Sequence, residues 1–84
     1  MPRATYPHSL QDVLSAVDGT FGLVVGDLPS GEIFVLKRNR HSGEWSVSHF
    51  ADASRRERRG RKVYTDRALA INRFCQAIGL GESL

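Results

Sequence analysis

Residues 32–38, EIFVLKR, lie between two turn sequences, DLPSGE and NRHSGE, and no other feature restricts this chain as much. In the first turn Pro29 fixes its own φ and Gly31 can adopt a positive one, and in the second Gly43 has the same freedom. The simplest consequence is a pair of hairpins that places residues 32–38 between two antiparallel neighbours. Ile33 and Val35 alternate with Phe34 and Leu36, so both faces are apolar at the centre, as expected of a strand inside a sheet.

The flanking segments fit that plan. TFGLVVGDL predicts a first strand with Phe21, Leu23 and Val25 on one side and Gly22, Val24 and Gly26 on the other. The second side is so lightly built that it, or a sheet edge, offers a surface for a second copy of the chain, making a homodimer one expectation. EWSVSHF supplies a third strand in which Trp45 and Val47 alternate with Ser46 and Ser48, and KVYT is read as a brief fourth.

Two helices frame the strands. In HSLQDVLSAVDG, Ser9 caps, Asp12 follows three residues later, and Leu10, Val13, Leu14 and Val17 recur on one helical face, with Gly19 as a stop. In TDRALAINRFCQAIGLG, Thr65 or Asp66 caps and Gly79 ends the helix. Ala68, Ile71, Phe74, Cys75 and Ile78 form its apolar stripe, leaving Arg67, Asn72, Arg73 and Gln76 outside. The predicted class is α+β: a short N-terminal helix, a three- or four-stranded antiparallel sheet and a C-terminal helix packed on it, αβββ(β)α. With 84 residues the chain has room for a single core. Residues 1–8 are expected to be a disordered N-terminus and residues 51–62 a basic flexible loop.

The lone cysteine, Cys75, cannot form an intramolecular disulfide, and residues 1–10 lack the apolar run of a signal peptide. Together these predict a soluble cytoplasmic protein with no membrane partner. Cys75 falls on an apolar stripe and is expected in the core rather than as a nucleophile. His41, Glu44 and His49 are close in sequence but lack the spacing of a zinc site, so no metal ligands are assigned. No cofactor motif, serine elbow or pair of catalytic carboxylates is recognisable, and the chain is not expected to be an enzyme.

Charge is the remaining signal. Residues 37–62 carry nine lysines and arginines against three acids, a net of +6, whereas the rest of the chain carries three against six, a net of −3. Within SRRERRGRK, residues 54–62, five of six cations are arginine, whose planar fork pairs bidentately with phosphate. The expected function is therefore nucleic-acid binding, DNA or RNA, through Arg55, Arg56, Arg58, Arg59, Arg61 and Lys62. Lys37, Arg38 and Arg40 of the turn KRNRH assist. The basic segment either becomes helical on its ligand, with Arg55, Arg58 and Arg59 on one face and Asp52 as cap, or remains a loop that orders there. Trp45, Phe50 and Tyr64 flank it, and one or two of them are available to stack on bases, although Trp45 and Phe50 are expected first of all to complete the core. The alternative function is a protein-interaction module, such as a phage- or plasmid-encoded inhibitor, docking on an acidic surface of a nucleic-acid-handling complex.

The order helix, three strands, helix is similar to that of the double-stranded RNA-binding domain, which also carries cations before its last helix. The turn GDLPSG stands where that family has a Gly-Pro-x-His loop, and TDRALA where it has Lys-Lys-x-Ala-Lys, so the likeness is one of topology. A looser likeness, through a three-stranded sheet and a final helix opening YTDRALAINRF, is to the arm-binding domains of integrases and to domains of the AP2 type.

Overall fold

The structure is a computed structural model that describes residues 6–19 and 22–84. In chain order it contains α1 (Leu10–Gly19), β1 (Leu23–Asp27), β2 (Ile33–Arg38), β3 (Trp45–Phe50), β4 (Arg58–Tyr64) and α2 (Arg67–Ala77). The strands form one antiparallel sheet in the order β1-β2-β3-β4, with β2 inside it as its two apolar faces require. No described helix is long and apolar enough to cross a membrane.

Both helices begin at side-chain caps. The Ser9 hydroxyl accepts the Asp12 amide at 3.2 Å, while the Asp12 carboxylate accepts the His8 amide at 3.0 Å. For α2 the cap is Asp66, which accepts the Ala68 amide at 2.9 Å. Helix α2 ends where Gly79 adopts φ +81, with Gly79 N–H donating to the Gln76 carbonyl and Leu80 N–H to that of Cys75. That left-handed exit turns Leu80 back into the core, where it is 5% exposed. Glu82 then accepts the Leu10 amide at 3.0 Å, so the end of the chain satisfies a free donor at the start of α1.

Both helices lie on the same side of the sheet. Val13 and Val17 of α1 and Ala70, Ile71, Phe74 and Cys75 of α2 share one core with Val24, Leu36 and Trp45. Cys75 is buried as a free thiol, and burial, reinforced by Glu82, pushes its pKa above the ordinary value. Ala70, rather than Ala68, is the fully buried alanine of the α2 stripe.

Three expectations need correction. The light side of β1 is not open, because α2 covers it. A Cβ built on Gly26 would stand 2.7 Å from Ile78 Cγ2 and 3.2 Å from Phe74 Cζ, so the missing side chain lets the helix approach. That face has no room for a second copy. Residues 6–8 of the expected disordered N-terminus are held: Tyr6 bridges to Asp27 across the edge of β1, and Pro7 is fully buried. Residues 1–5 of that expectation, and Phe21 of the predicted first strand, lie outside the described residues.

The third correction concerns the basic segment, which from residue 58 to residue 62 is neither helix nor loop. Arg58, Arg59, Arg61 and Lys62 belong to β4, which pairs with β3 from Phe50↔Arg58 to Trp45↔Tyr64. Hydrogen bonding to a neighbouring backbone holds this strand, and that does not depend on apolar side chains. The irregular connection shrinks to residues 51–57. There Asp52 accepts both the amide and hydroxyl of Ser54, and the Ala51 amide closes the turn on the Glu57 carbonyl. These hydrogen bonds to Ser54 hold the Asp52 carboxyl below its ordinary pKa.

Candidate nucleic-acid interface

The alternation of the strands gives the sheet two unlike sides. Val24, Leu36 and Trp45 point into the core, so their neighbours in the sequence point away from it. The register arranges the outward residues of β2, β3 and β4 in three rows: Lys37, Ser46 and Val63; Val35, Ser48 and Arg61; Ile33, Phe50 and Arg58. Neither helix covers this side. Ile33 and Val35 are nevertheless only 2% and 6% exposed, and they stand outside the helix-side core cluster. On this side Val35 has Val25 of β1 as its neighbour and Ile33 has Phe50 of β3.

A bulge in β4 decides which arginines reach this side. Phe50 is opposite Arg58 but His49 is opposite Gly60, so Arg59 is an extra residue. In an unbroken strand, positions 58 and 61 would face opposite ways. With one residue bulged out, both face the open side, Arg61 beside Ser48 and Arg58 beside Phe50. Arg59 instead brings its guanidinium within 3.6 Å of Glu32 Oε2.

The two basic segments approach the same surface from different directions. The β2–β3 turn lies beyond the Lys37 row, and the connection from β3 to β4 lies beyond the Phe50 row, at the other end of the strands. Between them runs a groove of about 710 Å³. Lys37, Arg38 and Arg40 line it from the first segment, and Arg55, Arg58 and Arg61 from the second. No acidic side chain lines it among the described residues. Its floor is formed by Val35, Ser46, Ser48 and Phe50, bordered by Leu23.

Six of the nine cations expected to act together thus share one groove. Arg56, Arg59 and Lys62 are not among its lining residues. Lys62 stands opposite Val47, on the helix side of the register; Arg38, opposite Trp45, is on that side too and borders the groove from the end of β2. Arg55 holds its place at φ +59, a left-handed backbone that an arginine adopts only at a cost of about 1–2 kcal/mol. Of the three aromatics proposed for stacking, Trp45 is 5% exposed in the core and Tyr64 packs against it. Phe50, half-buried, is the one at the groove.

On the helix side, His49 Nε2 meets Glu32 Oε2 at 2.5 Å, and its ring stacks on Phe34 with centroids 4.3 Å apart. The contact with His49 holds the Glu32 carboxyl below its ordinary pKa, with smaller help from Ser30 and Arg59. The sequence offers no signal for this trio, because its members belong to two strands and a turn brought together by pairing.

Comparison with known protein families, curated proteins and solved structures finds no match to this chain.

Proposed function

We propose that this protein binds nucleic acid, holding the phosphate backbone in the groove on the helix-free side of its sheet. One observation carries the reading: six cations from two separated segments line one recess that no described acid enters. A solubilising surface has no reason to gather like charges in a recess, where mutual repulsion raises their cost. A polyanion relieves that repulsion and releases its own counterions on binding. Five of the six are arginines, whose planar forks suit phosphate, and Lys37 is the sixth.

Titration of labelled DNA and RNA oligonucleotides at 50 and 200 mM salt tests this. If all six cations meet phosphates, affinity should fall about 300-fold on a single strand and about 10³-fold on a duplex across that range. Binding that ignores salt, or an absence of binding at 50 mM, overturns the reading. Stoichiometric capture of an acidic protein that survives nuclease treatment would move the groove to the alternative role of protein docking.

A further inference from the structure

We infer that the groove takes a single-stranded segment, with its phosphates on the basic borders and a base stacked on Phe50. This rests on the groove being a nucleic-acid site and specifies which form of nucleic acid it accepts. Shape is the first ground. To read a duplex, a protein must project an element into a groove, because the base edges are recessed behind the two backbones. Here the basic surface is itself the recess, and the side chains least accessible to a convex duplex are those of its floor.

The floor is what an unpaired strand can use. Phe50 supplies a half-buried aromatic face and Ser46 a half-buried hydroxyl able to meet a base edge, while Val35 and Ser48, 6% and 9% exposed, close the bottom beneath them. Nothing in the phosphate reading requires these groups. Phe34, Trp45, Tyr64 and Phe74 all belong to or pack with the helix-side core, so Phe50 is an aromatic set apart from these four.

The spacing of the charges agrees with a strand lying across the sheet. Lys37 on β2 and Arg58 on β4 occupy the first and third rows. At about 3.3 Å per residue these rows are roughly 13 Å apart, and β2 and β4 are separated by about 10 Å. The diagonal between the two cations is therefore roughly 16 Å. Arg61 stands in the middle row, and the floor residues Ser48 and Phe50 lie between the borders. A chain following this diagonal passes cations at its ends while its bases reach the floor. Stacking on an aromatic ring is tolerant of sequence, since every base has a π-face, so the expected ligand is unpaired nucleic acid with weak sequence preference.

The test measures fluorescence anisotropy of a labelled mixed-sequence single strand and of its perfect duplex, at a series of salt concentrations from 50 mM upward and compared at matched salt, with wild type, Phe50→Ala, Phe50→Leu and Phe50→Tyr. The single strand should bind wild type at least tenfold more tightly than the duplex. Phe50→Ala and Phe50→Leu should each weaken single-strand binding roughly 5- to 150-fold, the range for a lost base stack, with Phe50→Tyr close to wild type. Leucine preserves apolar bulk, so a loss shared by Ala and Leu and rescued by Tyr reports the ring rather than the fold. The salt slope should be unchanged in all three variants, because none removes a charge. Equal affinity for the two forms, or a neutral Phe50→Leu, overturns this inference while salt-dependent binding would leave the phosphate reading standing. Failure of both oligonucleotides to bind at 50 mM salt overturns both.

Discussion

Two pairs of cations in the same short stretch provide the sharpest test of the groove. Arg58 and Arg61 line it, whereas Arg56 and Lys62 do not, although all four lie within seven residues and removal of either pair lowers the charge by two. Arg59 is left intact in both variants because it approaches Glu32. If six cations each neutralise one phosphate of a single strand, the slope of log affinity against log salt is about −4.2, and loss of two contacts reduces it to about −2.8. A charge-assisted hydrogen bond contributes about 1.5 kcal/mol at the low end, close to tenfold in affinity. Arg58→Ala/Arg61→Ala should therefore bind about 100-fold more weakly at fixed salt. Arg56→Ala/Lys62→Ala should keep the wild-type slope and lose only a few-fold, through the general field of the protein. Anisotropy titrations over a series of salt concentrations give both quantities. Equal losses and equal slopes for the two variants would refute the reasoning, since binding would then track the total charge of the stretch and not its facing.

Other consequences concern stability. Gly26→Ala places a methyl group against Ile78 and Phe74 and should destabilise the fold by about 1–3 kcal/mol, read as a lowered Tm; an unchanged Tm would contradict the close approach of α2. Arg55→Gly relieves a left-handed backbone and should raise stability by up to about 1 kcal/mol in urea titrations while weakening oligonucleotide binding. For Glu32, whose pKa is lowered chiefly by His49, linkage sets the sign: its contribution is present above the ordinary value of 4.5 and is lost as pH falls through the lower folded value. An NMR titration should place the Glu32 midpoint below 4.5, and His49→Ala should move it upward.

Much of the fold is legible in the residues themselves. Ser9, Asp66 and Gly79 act where their chemistry says they should, and Gly31 and Gly43 take the positive φ that the two turns require. The end of strand β4 falls within KVYT, which the sequence marks, but its first part is hidden because Arg58–Arg61 contains no alternation of apolar and polar residues, and its conformation comes from pairing with β3. Gly26 misleads for a related reason: a small residue marks open surface and close packing equally well until its partner is known. The convergence of Lys37, Arg38 and Arg40 with Arg55, Arg58 and Arg61 depends on sheet order and on one bulge, and neither has a local signature. Sequence therefore finds the cations and the structure divides them.

The irregularity at Arg59 also fixes how the chain can change in length. Loss of one residue between Arg58 and Arg61 can be absorbed by straightening β4, which leaves both flanking arginines facing as before. Loss of one residue beyond Arg61 inverts the remainder of the strand and turns Tyr64 out of the core. Natural variants of this protein should accordingly tolerate a one-residue deletion at Arg59 or Gly60 and resist one at Lys62 or Val63, so the bulge is a point of evolutionary slack inside an otherwise rigid reading frame of faces.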